Sequence, residues 1–260
     1  MPKFSANLSF MFCEKPFEQR YQLAKDAGFK AVESGFPFGL SQEQIRSCKS
    51  SANIEQILIN IYTGDVTKGE VGFAAIPGKE DEFKKSVNLT LEYAKAVGAK
   101  KIHIMAGIVH NPTKENDETY EKNLDYASKI FEKENIMGLI EPINKYSVPN
   151  YYLNSYKNAV RVIEKINNPN LKLMLDIFHL QQIQGDISHT LTELSKHVGH
   201  VQIAQVPNRN EPDAPGEINY KYVFDMLEKA GYDDWIGLEY RPHTTTMEGL
   251  KWIKQFNYTL

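Results

Sequence analysis

The sequence predicts an α/β protein built as one (β/α)8 TIM barrel over residues 1–260. Three observations carry that expectation. Short apolar runs alternate with helical stretches almost from end to end, the pattern of a parallel sheet with helices on its faces. Eight such strand–helix units fit within the 260 residues, and eight units close a barrel. No linker-like or low-complexity segment interrupts them. A doubly wound open sheet is the rival architecture. It calls for a Gly-rich phosphate turn after an early strand, and neither G-x-G-x-x-G nor a Walker A pattern occurs.

The elements follow in order. Lys3 to Phe10 reads as the first strand, and Pro16 to Ala27 as a helix with proline at its start and Gly28 at its end. Lys30-Ala-Val-Glu33 begins the second strand. Ser41 can cap a helix from Gln42 to about Ser50, and Glu55 to Tyr62 forms the third strand. A long loop with Gly64, Gly69, Gly72, Pro77 and Gly78 leads into a helix from Glu80 to Val97, closed by Gly98. Lys100 to Ala106 is the fourth strand, and Glu118 to Asn135 has helical periodicity. The fifth strand is Met137-Gly-Leu-Ile-Glu141. A helix from about Ser155 to Ile166 precedes the sixth, Leu171-Lys-Leu-Met-Leu-Asp176. Ile187 to His197 reads as helix before the seventh strand, His200-Val-Gln-Ile-Ala204. Tyr220 to Ala230 closes at Gly231, Trp235-Ile-Gly-Leu-Glu239 is the eighth strand, and Met247 to Phe256 the last helix.

Composition narrows the functional classes. A hydrophobic content of 42% and charged content of 24% are ordinary for a globular chain with a sizeable core. A formal charge of −3 offers no general attraction for nucleic acid or anionic membrane. Cys13 and Cys48 lack metal-binding spacing, no signal peptide is evident, and no apolar run approaches a bilayer span. The expectation is a cytoplasmic protein with a small-molecule substrate and neither nucleic acid nor membrane as partner; a homo-oligomer stays open.

The last four strands each carry a metal-type ligand at or near the C-terminal end: Glu141, Asp176, Gln202 and Glu239. In a barrel these ends ring the mouth where chemistry sits. A carboxylate in a buried strand loses its hydration and needs a cation or hydrogen bonds in return. Three close together repel one another, so protons or a divalent ion must be present. Oxygen ligands without thiolates favour Mg2+ or Mn2+ over zinc. Any one of these acids alone reads equally well as a salt bridge or loop hydrogen bond; the four together read as one site. His179, three residues after Asp176, and Arg209, on the loop after the seventh strand, are candidate substrate contacts, since a guanidinium can grip a carboxylate with two hydrogen bonds. His200 points to the side of Gln202 but one layer deeper, with structural and functional roles equally open. His103 reads as a core histidine. Lys68, Glu70 and Lys145 are further candidates for the mouth, and His110, His189, His197 and His243 carry no assignment.

The motifs resemble a known family. Asn60 to Phe83 with its Gly-Asp and Ile-Pro-Gly-Lys-Glu motifs, Leu139-Ile-Glu-Pro-Ile-Asn144, Leu175-Asp-Ile-Phe-His179, Gly199-His-Val-Gln-Ile-Ala204, Asn208-Arg-Asn-Glu-Pro212, Gly216-Glu-Ile-Asn-Tyr220 and Trp235-Ile-Gly-Leu-Glu-Tyr240 are similar to hydroxypyruvate isomerases. These lie within the xylose-isomerase-like TIM barrels, alongside ketose 3-epimerases and endonuclease IV. The resemblance covers nearly the whole chain. It implies that Glu141 and Glu239 form the acid/base pair and also touch the metal, and that Asp176 and Gln202 complete the metal shell. It also implies that His179 and Arg209 contact substrate. Where the epimerases place histidine, this chain has Gln202.

The chemistry so implied is coherent. Moving a carbonyl by one carbon, from hydroxypyruvate to tartronate semialdehyde, needs a base, an acid and a stabilised enediolate. The nearest alternative is a metal-dependent isomerase or epimerase acting on a longer keto-sugar or 2-oxo sugar acid. A repair nuclease would call for several histidine ligands and a basic groove, and a non-catalytic barrel would have lost part of the acid set.

Overall fold

The computed structural model describes residues 1–260 as a closed barrel of eight parallel strands in chain order, with β1 returning to pair β8. The elements are β1 (Lys3–Asn7), α1 (Phe17–Asp26), β2 (Ala31–Ser34), α2 (Gln42–Ala52), β3 (Glu55–Asn60), α3 (Glu80–Val97), β4 (Lys101–His103), α4 (Lys114–Lys133) and β5 (Met137–Ile140). There follow α5 (Tyr156–Ile166), β6 (Leu171–Asp176), α6 (Ile177–Ile183), α7 (Ile187–Leu194), β7 (Val198–Ile203), α8 (Tyr220–Lys229), β8 (Trp235–Leu238), α9 (Thr246–Gly249) and α10 (Lys251–Gln255). The predicted fold class is borne out. No helix is long and apolar enough to cross a membrane.

Local chemistry sets the element ends. Ser41 and Gln44 form a reciprocal capping box that starts α2. Gly98 closes α3 with φ +75°, the left-handed cap conformation that glycine adopts without strain. Helix α5 buries Tyr156, Ala159, Val162 and Ile163, the one-sided spacing that lays a helix on a sheet.

Several elements are shorter or more broken than the sequence reading. β1 stops at Asn7 because the Asn7 side-chain oxygen accepts from the Ser9 amide at 3.0 Å, turning the chain. The β3 and β4 ladders end at Asn60 and His103. The expected last helix tightens into a turn at Leu250, giving α9 and α10. Helix α6, unforeseen, begins directly after β6: the Asp176 carboxylate accepts from the Phe178 amide at 2.7 Å and caps it.

The barrel interior is layered. Contacts between strands that are not neighbours identify the inward residues. Lys101 on β4 reaches His200 on β7 at 3.2 Å, and His200 reaches Glu33 on β2 at 2.8 Å. Ala31, Leu58, Leu139 and Met174, from four different strands, form a small apolar plug, apart from the much larger main core. The deeper layer holds the Lys101–Asp234 ion pair at 2.7 Å, and acids occupy the mouth.

Gly237 on β8 leaves the space that the Glu33 carboxyl group fills, since a Cβ at that position would overlap both carboxylate oxygens. Gly237→Ala should therefore destabilise by about 1–3 kcal/mol through overpacking, a fall of roughly 2–12 °C in Tm. Thermal unfolding followed by circular dichroism measures it; an unchanged Tm would contradict the close approach.

Candidate active site

The strand ends bring the predicted ligands together. Asp176 and Gln202 are direct partners across β6 and β7, and Gln202 is in register with Gly237 of β8. Glu141 and Glu239 each lie one residue beyond their strands. All four side chains are buried. Glu141, Asp176 and His179 present ligand atoms within 4.8 Å of one another, close enough to share one cation. With Arg209 they lie on or beside a cavity of about 510 Å³ at the barrel mouth, within the range of small-molecule sites.

Each carboxyl group is held differently. Asp176 uses one oxygen to cap α6 and turns the other towards His179 Nε2, 3.6 Å away, and the Arg209 guanidinium, 3.4 Å away. Glu239 forms a close ion pair with Arg209 and accepts from Asn7 Nδ2 at 3.2 Å. Glu141 Oε1 has no hydrogen-bond partner, and neither has Gln202 Oε1. Two unpartnered buried oxygens beside a half-used aspartate make an oxygen-rich donor set. Such a set suits a hard divalent ion, so the residues present fit a metal.

The electrostatics follow from burial. Glu141 is pushed well above the usual carboxylate range, by burial first and then by the charges of Glu239 and Asp176. Asp176 and Glu239 are also raised by burial, with Arg209 pulling each back. One guanidinium serves three acids, and Glu141, which does not touch it, is the one it compensates least.

His179 is a donor. Its Nδ1 accepts from the Asn144 amide at 3.2 Å and from Asn144 Nδ2 at 2.7 Å. The Asn144 side chain cannot flip, because its Oδ1 already accepts from the backbone amides of Tyr146 and Ser147, both at 2.9 Å. Nδ1 is therefore unprotonated and Nε2 carries the hydrogen. That hydrogen points between Glu141 and Asp176. Burial, then the Arg209 charge, holds the ring neutral.

Arg209 lies between the rings of Phe10 and Phe178, with centroid distances of 4.6 and 4.8 Å. Its Nε also donates to the Glu239 carbonyl at 3.3 Å. The guanidinium is thus fixed in plane at the mouth.

Sequence reasoning missed part of this site. Glu33, wholly buried, accepts from Ser5, Asn7, His200 and Gln202. It sits near the end of β2 as the other acids sit near theirs, and that position was the available signal. His103, read as a satisfied core histidine, instead has both ring nitrogens unpartnered, lies 3.6 Å from Glu141 and lines the cavity. Burial lowers its pKa to about 3. His200 has the deeper position expected of it. Lys68 pairs with Asp65, Glu70 accepts from the Asp65 amide, and Lys145 lies over the Tyr146 ring; none lines the cavity.

The barrel and its acidic mouth define a class, and the comparisons agree with it. The family model described as xylose isomerase-like TIM barrel matches residues 21–256, and the chain belongs to that family. Among its relatives, the hydroxypyruvate isomerase of Escherichia coli strain K12 is 40% identical, over 98% of this chain and 100% of that protein. The 2-oxo-tetronate isomerase of Cupriavidus necator is 39% identical over 98% of this chain and 99% of that protein. A crystal structure of the Brucella melitensis protein named AP endonuclease, family 2, superposes with a TM-score of 0.95 at 40% identity, covering 98% of this chain and 99% of that one. The resemblance carried by the motifs is borne out.

Two outcomes follow from the geometry. In metal-free protein the raised carboxyl groups bind protons that the unfolded chain releases, so their contribution to stability is lost as pH rises above about 4.3. The lowered histidines act in the opposite sense only below about pH 6.5. From about pH 7 to about pH 8 the carboxyl groups dominate, since the Cys13 and Cys48 thiols, raised by burial, act in the same sense only nearer the ordinary thiol range: Tm of chelator-treated protein should fall with pH, and Glu141→Gln should raise Tm and flatten the slope. A wild-type Tm that climbs over this range would refute the assignment. Separately, nitrogen-15 NMR of the His179 ring should show the Nε2–H tautomer, because the Asn144 backbone amide and Nδ2 both donate to Nδ1; a protonated Nδ1 would refute the lock.

Proposed function

We propose that this chain interconverts hydroxypyruvate and tartronate semialdehyde (2-hydroxy-3-oxopropanoate), with Glu141 and Glu239 as its acid/base pair. Its curated relatives are named as isomerases, and the chain is an isomerase of their class. The observation that carries the reading is the convergence of three buried carboxyl groups, two unpartnered oxygens and one clamped guanidinium on a single mouth. Cys13 and Cys48 are free thiols, which supports a cytoplasmic setting.

Glu141, Asp176, Gln202 and Glu239 would hold a divalent metal, Mg2+ or Mn2+ by their oxygen chemistry. When bound, that ion supplies positive charge to the two substrate oxygens between which the carbonyl moves. Everything else falls to side chains. Arg209 takes the substrate carboxylate, and as it does so its pairing with Glu239 is released. Glu141 or Glu239 removes a proton from C3; the C–H electron pair becomes the C2–C3 double bond of an enediolate as the C2 carbonyl pair moves onto its oxygen. The opposite carboxyl group delivers a proton to C2, where the double-bond pair forms the new C–H bond; the C3 hydroxyl proton passes to the C2 oxygen and the C3 oxygen closes the new carbonyl. The His179 Nε2–H donates to a substrate oxygen throughout. The hydrophobic rings of Phe10 and Phe178 exclude water from the Arg209 side.

A longer substrate is the second reading. A cavity of about 510 Å³ leaves room beyond a three-carbon acid, and one group of relatives is named for a four-carbon acid, 2-oxo-tetronate. The formal charge of −3 and an acid-lined mouth give nuclease chemistry little support.

The test is turnover by purified protein on hydroxypyruvate, 2-oxo-tetronate and free ketoses, with Mg2+ or Mn2+ restored after chelation. Hydroxypyruvate should give the highest kcat/KM. Glu141→Gln and Glu239→Gln should each cost about 10²- to 10⁴-fold while circular dichroism stays native. Near-wild-type turnover in either variant would sink the acid/base assignment.

A further inference from the structure

Glu33 belongs to none of the roles assigned above, yet its carboxylate accepts four hydrogen bonds, from Ser5 and Asn7 of β1 and from His200 and Gln202 of β7. Its Oε1 accepts from Gln202 Nε2 at 2.7 Å and Asn7 Nδ2 at 3.0 Å. Its Oε2 accepts from His200 Nε2 at 2.8 Å and Ser5 Oγ at 3.0 Å. Two of these donors are fixed from outside. Asn7 Oδ1 is occupied by the Ser9 amide at 3.0 Å, so its NH2 must face inward. His200 Nδ1 faces the Lys101 ammonium at 3.2 Å, so the ring hydrogen sits on Nε2. Lys101 is itself tied to Asp234 at 2.7 Å. A carboxylate met by donors on all sides is an acceptor only.

Gln202 therefore has one orientation. Its NH2 must turn to Glu33, and its Oε1 is left buried and unpartnered, on the strand position that pairs with Asp176. We infer that Glu33 is a positioning residue: it fixes the Gln202 amide so that oxygen, and not NH2, faces the cation pocket. It also shares Asn7 with Glu239, whose Oε1 receives the same Asn7 NH2. The chain Asp234–Lys101–His200 fixes the far side of Glu33 from the closed end of the barrel. Residues behind metal ligands that set their orientation commonly carry a tenfold to hundredfold share of affinity.

The inference rests on the reading of Gln202 as a ligand, and the experiment separates the two. Mn2+ binding to chelator-treated protein is measured by calorimetry and by the electron paramagnetic resonance of free Mn2+, apart from any turnover. Gln202→Leu should weaken binding if Oε1 is a ligand. Glu33→Gln, which lets the Gln202 amide turn over, should weaken it by about tenfold to a hundredfold. Exchanging the pair, as Glu33→Gln with Gln202→Glu, restores one carboxylate and one amide with the oxygen still outward. It should bind Mn2+ more tightly than Glu33→Gln alone. Wild-type binding by Gln202→Leu overturns the ligand reading and this inference with it. Weak binding by Gln202→Leu with Glu33→Gln within twofold of wild type overturns the positioning role alone, as does an exchanged pair no better than Glu33→Gln. Should Glu33→Gln not fold, Glu33→Asp keeps the charge but withdraws the oxygen from Gln202. It should lose at least about tenfold, and binding within twofold of wild type overturns the role.

Discussion

Four carboxyl groups, Glu33, Glu141, Asp176 and Glu239, are buried together at one end of a closed sheet, and the site is organised around keeping that charge tolerable. Removing a carboxylate from water costs several kcal/mol unless hydrogen bonds or an opposite charge compensate. The four are compensated unequally. Glu33 has four donors, Asp176 has a helix N-terminus and part of a guanidinium, and Glu239 has the rest of that guanidinium. Glu141 has one unbonded oxygen and two neutral imidazoles at 3.6–3.8 Å. The deficit falls where a proton or a cation can be taken up and given back. A group that exchanges protons with substrate needs that freedom.

The barrel makes such crowding affordable because its interior positions are fixed by strand alternation rather than by loops. Inward residues two apart on β7 place His200 under Gln202, and on β8 place Gly237 under Glu239. The missing side chain at Gly237 admits Glu33 to the centre, where it can reach β1 and β7 at once. Side chains locked in this way keep their geometry without reorganising during the reaction, which is the source of electrostatic catalysis in rigid sites.

Much of this was legible before any coordinates. Periodicity and Gly caps marked all eight strands, and an acid at the end of a buried run marked Glu141, Asp176 and Glu239. What escaped were interactions that depend on closure. Glu33 shares the strand-end signal, but its meaning lies in contacts with β1 and β7, and β7 follows more than 160 residues later. Asn144 carries no sequence signal that its amide is pinned by Tyr146 and Ser147 and so sets the His179 tautomer. Helix α6 hides because Asp176 is both the last strand residue and the cap, a double use that no periodicity displays. His103 reads as core because its strand is short and buried throughout, and only the closed barrel shows that its ring lines the cavity.

Glutamine at position 202 now has a physical reason. A second carboxylate there would face Glu33 at hydrogen-bond distance, two like charges in a dry interior, and one would have to hold a proton. An apolar residue would leave Glu33 short of a donor and the pocket short of an oxygen. An amide is neutral and has opposite ends, so it satisfies an anion with its NH2 while offering a lone pair to a cation with its carbonyl. On the other side, the neutral Nε2–H tautomer of His179 likewise presents a donor without adding charge. Both residues work through polarity rather than charge, which leaves the balance between proton and cation at Glu141 undisturbed.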